Sequence, residues 1–76
     1  MIEEVTRMKY AFIIEWKNGS INDNIVKYLR KNKIDYHRNH YFQLVADIYH
    51  DGNYYTFDYE KINGDLYGIT LENAIA

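Results

Sequence analysis

Three histidines are the side chains of this chain best suited to acid–base or metal chemistry. His37 and His40 have a spacing that binds metal on a helix or in a tight loop, and His50 directly precedes a turn signal. On an extended strand, residues three apart point to opposite faces, so such a strand would separate His37 from His40. We therefore expect surface or structural histidines and no metal site.

Two aspartates, Asp47 and Asp58, are predicted on the outer face of neighbouring strands, diagonal to each other. Such a pair could hold Mg²⁺ in a nuclease, with His50 as the base. Solvated acids on an open sheet face are commoner, and the sequence has no glycine-rich phosphate loop, nucleophile elbow or cysteine nucleophile. A small nuclease or RNase-type toxin is the weaker alternative; we predict no catalytic residues and no cofactor.

A basic cluster occupies the middle of the chain, and its members are Lys27, Arg30, Lys31, Lys33 and Arg38. The simplest interpretation is a solvated helix face with favourable charges at its carboxyl end. The alternative is a nucleic-acid-binding edge that contacts phosphates, where Tyr36, His37 and Tyr41 could stack on single-stranded bases. The net charge of −2 lacks the basic excess typical of nucleic-acid-binding proteins, so this remains a second hypothesis.

Tyrosine is the most distinctive component: nine of 76 residues, six of them between residues 41 and 67. One buried sheet face cannot absorb so many rings, so some should lie on the surface, where tyrosine makes rigid contacts with partners. The predicted protein-binding patch, on the sheet face away from the helix, comprises Tyr41, Val45, Asp47, Tyr49, Tyr54, Thr56 and Asp58. Alternatively, Tyr49 opposite Tyr54 is a cross-strand pair that only stabilises a hairpin.

Hydrophobic periodicity predicts the first two elements. Alternation predicts a strand over residues 8–16 whose buried face carries Met8, Tyr10, Phe12, Ile14 and Trp16. A helical spacing then links Ile21, Ile25, Tyr28 and Leu29. It predicts a helix from Ile21 to Asn32, with Ser20 as N-cap and Asn32 in the left-handed conformation.

Two turn signals predict how the later strands pair. Residues 36–38 are expected to be extended and to lead through a bend into a strand from Tyr41 to His50. Its apolar face carries Phe42, Leu44, Ala46 and Ile48. Asp51-Gly52 favours a two-residue type I′ hairpin, which would pair Ala46 with Phe57. A three-residue loop over residues 62–64, with Gly64 left-handed, would pair Tyr59 with Tyr67 and keep the apolar side chains on one face.

These elements predict a single α+β domain over residues 1–76, with residues 1–7 and 72–76 frayed. Its architecture is two-layer, one helix packed on a mainly antiparallel four-stranded sheet in the order β-α-β-β-β. A right-handed crossover would place the first strand parallel to the second or the fourth. One helix covers one sheet face, which leaves the other face solvated or bound to a partner.

Chain length and composition indicate the oligomeric state, the cellular compartment and the type of genome to expect. A 76-residue chain without cysteine is marginally stable alone, which favours self-association as a homodimer. The first residues lack an apolar signal segment and the longest apolar run is five residues, so we expect a soluble, cytoplasmic protein. Asn, Ile, Lys and Tyr make up 33 residues, against 11 for Ala, Gly, Pro and Arg, which is typical of an AT-rich genome.

The leading hypothesis is therefore a non-enzymatic protein-binding module. In its concrete form it is a small phage or mobile-element protein that binds and inhibits a host protein of defence or nucleic-acid metabolism, in the host cytoplasm. The acids of the predicted patch argue against nucleic acid on that face.

Overall fold

The structure, a computed structural model, describes residues 10–74. They form one helix packed on a five-stranded antiparallel sheet. The elements are β1 (Phe12–Glu15), α1 (Ile21–Lys31), β2 (Tyr36–Arg38), β3 (Leu44–Ala46), β4 (Tyr55–Asn63) and β5 (Leu66–Asn73). The α+β class is confirmed. The strand count of four is wrong, because the short extended segment β2 pairs with β3 as a fifth strand.

The sheet order is β1-β5-β4-β3-β2, and every neighbouring pair is antiparallel. β1 and β2 therefore run in the same direction at opposite edges, and the helical connection crosses the whole sheet. The sequence did not determine the partner of β1, and the parallel pairing that a right-handed crossover would give is not formed: Phe12 lies opposite Ile69 of antiparallel β5. The meander β3-β4-β5 fills the middle of the sheet, so β1 can pair only at its far edge.

Helix α1 begins at the predicted residue. Ser20 is extended, and its hydroxyl accepts a hydrogen bond from the backbone N–H of Asp23 at 3.0 Å. This bond satisfies one of the free N–H groups at the helix start. The predicted apolar face is confirmed, since Ile25 and Leu29 are fully buried against the sheet.

The helix ends one residue earlier than predicted, at Lys31. Asn32 stays right-handed (φ −96°), and its side-chain amide donates to the Tyr28 carbonyl at 2.8 Å. This bond holds Asn32 against the last turn, so the left-handed residue is Lys33 (φ 58°), not Asn32.

The core lies between α1 and one sheet face. It comprises Phe12, Ile14, Ile25, Leu29, Ile34, Leu44, Ala46 and Ile69. The ring of Phe12 stacks on Tyr28 of the helix at a centroid distance of 3.9 Å. The buried face predicted for the first strand is confirmed at Phe12 and Ile14, while Met8 lies outside the described residues. It is wrong for Tyr10, whose ring lies on the opposite sheet face against Gly68.

The β3–β4 connection is not the predicted two-residue hairpin. Ala46 pairs with Tyr55 rather than Phe57, and residues 47–54 form a loop, so the strand predicted over residues 41–50 is reduced to β3. The Asp47 carboxylate accepts hydrogen bonds from the N–H groups of Asp51 and Gly52, at 3.0 and 2.9 Å. The aspartate thus folds the loop around itself. The register moves by two residues, so the side chains that remain in β3 and β4 keep their predicted faces.

The β4–β5 hairpin shows the same kind of shift. Tyr59 pairs with Ile69 rather than Tyr67, with a bulge between Lys61 and Asn63. Gly64 is left-handed as predicted (φ 46°). Residues 72 and 73 belong to β5 rather than to a frayed tail, because the longer hairpin gives them partners on β4. The fraying predicted for residues 1–7 lies outside the described residues.

Across residues 10–74, no helix has the length and apolar character needed to span a membrane.

Candidate binding surfaces

The sheet face turned away from α1, here called the open face, carries an excess of acids. Its strand residues are Ile13, Glu15, His37, Val45, Thr56, Asp58, Glu60, Leu66, Gly68, Thr70 and Glu72. All four of its carboxylates are exposed, and none of these strand positions is lysine or arginine. Lys17, just beyond β1, pairs with Glu15 at 3.3 Å. The remaining acids extend over the two central strands.

One aromatic ring from outside the strands covers part of the open face. The ring of Tyr10 lies directly against Gly68, and its hydroxyl donates to the carboxylate of Glu60 on the neighbouring strand. A Cβ at position 68 would collide with the ring, so this contact requires glycine. The open face is therefore covered by its own chain at Gly68, while Asp58 and Glu72 remain exposed.

The predicted tyrosine patch is brought together only in part. Val45 and Thr56 are partners on neighbouring strands of the open face, and Asp58 follows two residues along β4. Val45 is only 1% exposed, so its side chain supports this surface without being available to a partner. Tyr54, at the entry to β4, meets the ring of His37 edge-on at 5.0 Å.

The other members of the patch lie on two loops. Tyr49 is part of the loop over residues 47–54 and packs edge-on against Tyr55 at 5.3 Å, so the predicted pairing of Tyr49 with Tyr54 is wrong. Asp47 organises that loop. Tyr41 lies on the turn between β2 and β3. The cause is local hydrogen bonding, because the side chain of Asn39 organises the turn before β3 and that of Asp47 organises the loop after it.

A residue of this loop and the first residue of β4 have shifted pKa values. The hydroxyl of Tyr55 donates to Oδ2 of Asp51 at 2.5 Å. This bond, helped by the backbone N–H of Asn53, holds the pKa of Asp51 below its usual range. The same bond raises the pKa of Tyr55, because the proton is shared with a carboxylate.

A shallow cleft of about 190 Å³ lies beside β2, lined by Asp35, Tyr36, His37, Asp47, His50 and Tyr54. It brings together His50 and Asp47, two of the three residues of the nuclease hypothesis, but Asp58 does not line it. Within residues 10–74, no group of three or more histidines and acids is arranged to hold a metal ion. The three residues of the nuclease hypothesis therefore do not line one cleft.

The most exposed aromatic rings lie on the turn over residues 39–43, here called the aromatic turn. Tyr41 is 70% exposed and Phe42 is 83% exposed. The side-chain oxygen of Asn39 accepts hydrogen bonds from the N–H groups of Tyr41 and Gln43, at 2.9 and 3.0 Å. The N–H of Phe42 donates to the Asn39 carbonyl at 2.9 Å. These hydrogen bonds hold a short, well-defined loop.

Phe42 is the candidate residue that the sequence reasoning missed. The strand predicted over residues 41–50 placed it on the buried face, which is wrong. The structure gives it a left-handed backbone (φ 63°) and an exposed side chain. Asn39 was the available signal, because asparagine often bonds its own backbone two residues on and so starts a turn.

The basic cluster lies on the opposite side of the molecule from the open face. All five of its side chains are exposed, on α1, on the segment that follows it and on edge strand β2. None forms an ion pair with a carboxylate of residues 10–74. Arg30 Nε donates to the hydroxyl of Tyr36 at 2.9 Å, which links the helix to β2. Arg38 donates to the carbonyl of Phe42 at 3.1 Å, which links β2 to the aromatic turn.

Comparison with protein-family models, curated proteins and solved structures found no match.

Proposed function

We propose that this protein is a non-enzymatic binding module that docks through its open face onto a positively charged surface of another protein. The observation that supports this most is the distribution of charge on that face. Glu15, Asp58, Glu60 and Glu72 are exposed there, and the strand positions of the face include no lysine or arginine. Opposite charges across an interface steer association and suppress wrong partners.

Apolar side chains lie beside the acids. The exposed fractions are 43% for Ile13, 39% for Tyr54 and 39% for Leu66. No second layer of the described chain covers these side chains. Such exposed aromatic and aliphatic side chains supply contact area at interfaces, beside the charged groups that steer association. The acids also disfavour two other occupants of this face. A nucleic acid would be repelled, and a second copy packed face to face would bring like charges together.

In its specific form, the proposal is a small phage or mobile-element protein that inhibits a host protein of defence or nucleic-acid metabolism, in the host cytoplasm. Proteins that bind nucleic acids present basic surfaces. An acidic face of this kind is complementary to such a surface and would block it. The small size and the AT-rich residue usage of the chain are compatible with that origin.

The test compares two variants with the same change of charge. Asp58→Lys alters an exposed residue of the open face, and Asp65→Lys alters an exposed residue of the β4–β5 turn. Each protein is immobilised, incubated with nuclease-treated lysate, and its bound proteins are identified by mass spectrometry. The candidate partner is then purified and titrated by calorimetry at two salt concentrations.

We expect Asp58→Lys to weaken the purified complex by about tenfold, or about 1.4 kcal/mol, because an attraction becomes a repulsion. Asp65→Lys should stay within about twofold of the wild type, since surface charges away from an interface contribute little. If both variants bind the partner as the wild type does, the open face is not the docking surface. Circular dichroism of each variant verifies that its fold is intact.

A further inference from the structure

We infer that the basic cluster and the aromatic turn together form a binding surface for single-stranded nucleic acid. This function goes beyond the docking proposed above and uses a different side of the molecule. The basic side chains would contact phosphates, and the rings of Tyr41 and Phe42 would stack on unpaired bases.

Charge is strongly divided along this chain, which the net value of −2 conceals. Residues 27–42 contain five basic residues and one acid, Asp35. All other residues together contain four basic and ten acidic residues. In the fold, the basic stretch forms the outer helix face and edge strand β2, whereas the acids of β4 and β5 face the other way. A polyanion approaching the molecule would therefore be directed to the helix side.

Packing within the chain does not account for Phe42. A left-handed backbone is unfavourable for a bulky aromatic residue, because its Cβ approaches the carbonyl oxygen. A ring that is 83% exposed recovers little by burial. A residue that is both strained and exposed is a candidate for a binding role, and the Asn39 hydrogen bonds hold it in place.

The aromatic turn is joined directly to a residue of the basic cluster, Arg38. The guanidinium of Arg38 donates to the carbonyl of Phe42, so a cation is held at the foot of the exposed ring. The ring of His40 lies 4.2 Å from that of Tyr41, which restrains the second platform. Single-strand-binding proteins use this combination: aromatic rings stack on the nucleobases, and neighbouring cationic side chains contact the phosphates.

The arrangement favours a single strand over a duplex. The bases of a duplex are stacked on one another, so their faces are not available to exposed rings, whereas those of a single strand are. The five residues of the basic cluster supply at most five phosphate contacts. A single strand with that number of contacts gives a salt dependence with a slope of at most about −3.5.

The probe is a fluorescein-labelled oligothymidylate of about 20 nucleotides, with an oligouridylate and a duplex of equal length as comparisons. Binding is followed by fluorescence anisotropy in about 50 mM salt and above. The variants are Phe42→Gly and Tyr41→Ala for stacking and Arg38→Glu for phosphate contact. Lys61→Glu on β4 is the matched charge control, and Tyr49→Ala on another loop is the matched aromatic control.

Phe42→Gly separates binding from folding, because glycine adopts φ 63° without strain. We expect its melting temperature to be equal to or higher than that of the wild type, while its affinity falls at least about fivefold. Tyr41→Ala should also weaken binding, and Arg38→Glu should do so more strongly while reducing the salt slope by about one. Both control variants should bind as the wild type does.

Several results would overturn the inference. One is the absence of any anisotropy change up to about 100 μM protein in low salt, since even non-specific binding is tighter than that. Another is a duplex bound as tightly as the single strand. A third is a stable Phe42→Gly protein with unchanged affinity, which would leave the turn to some other partner, such as an apolar pocket of a protein. The oligouridylate distinguishes RNA from DNA as the preferred strand.

Discussion

Replacing Gly68 by alanine should destabilise the protein, although alanine normally suits a strand better than glycine. The reason is the ring of Tyr10, which occupies the position that the new methyl group would take. The blocking atoms include the ring carbon nearest the Tyr10 backbone, so the ring cannot simply swing its far end aside.

The expected magnitude combines three terms. Displacing a half-buried tyrosine ring exposes on the order of 50 Å², which costs about 1 kcal/mol at 25 cal/mol per Å². Losing the hydrogen bond to the exposed Glu60 carboxylate costs about 0.5–1 kcal/mol. Alanine stabilises the strand by about 0.5–1 kcal/mol relative to glycine, because it loses less backbone entropy on folding. The net loss is about 1 kcal/mol, or about 4–8 °C in melting temperature for a domain of this size.

The assay is urea unfolding followed by circular dichroism, arranged as a double-mutant cycle with Tyr10→Ala. Without the ring, Gly68→Ala should become stabilising by about 0.5–1 kcal/mol, so the sign reverses between the two backgrounds. Thr70→Ala, two residues along β5 on the same face, serves as the control. It should change the free energy of unfolding by the same amount in the wild-type and the Tyr10→Ala backgrounds. An equal effect of Gly68→Ala in the two backgrounds would refute the reasoning.

The remaining predictions concern pH and self-association. The pKa of Asp51 is held low, so its contribution to stability is present above its unfolded pKa and is lost as pH falls through the folded value; the raised pKa of Tyr55 adds a loss at strongly alkaline pH. Tyr55→Phe should therefore flatten both limbs of the urea midpoint against pH, and an unchanged acid limb would contradict this. We predict that the expected homodimer forms by pairing of edge strand β1, where Ile13 is 43% exposed on the open face, so Ile13→Lys should yield a monomer in sedimentation experiments. A wild-type protein that is already monomeric at about 100 μM would contradict the dimer.

Some features followed from the sequence because local physics decides them. The period of 3.6 residues identifies α1 and its buried Ile25 and Leu29, and the hydroxyl of Ser20 caps it whatever lies elsewhere in the chain. Alternation likewise assigned the strand side chains to their faces. Both hairpin registers were wrong by two residues, yet an even shift leaves the faces unchanged, so the pattern alone cannot detect it.

The tertiary structure decided what depends on distant partners. Asp47 accepts hydrogen bonds from the N–H groups of Asp51 and Gly52 and converts the end of a predicted strand into loop, while β1 pairs at the edge left free by the meander. The ring of Tyr10 reaches Gly68 and Glu60 far along the chain, and Phe42 leaves the core for an exposed turn. The sequence by itself thus determined the class of fold and the faces, because periodicity is a property of neighbouring residues. The register, the edge pairing and the exposed rings required the folded chain, because competing hydrogen bonds between remote residues decide them.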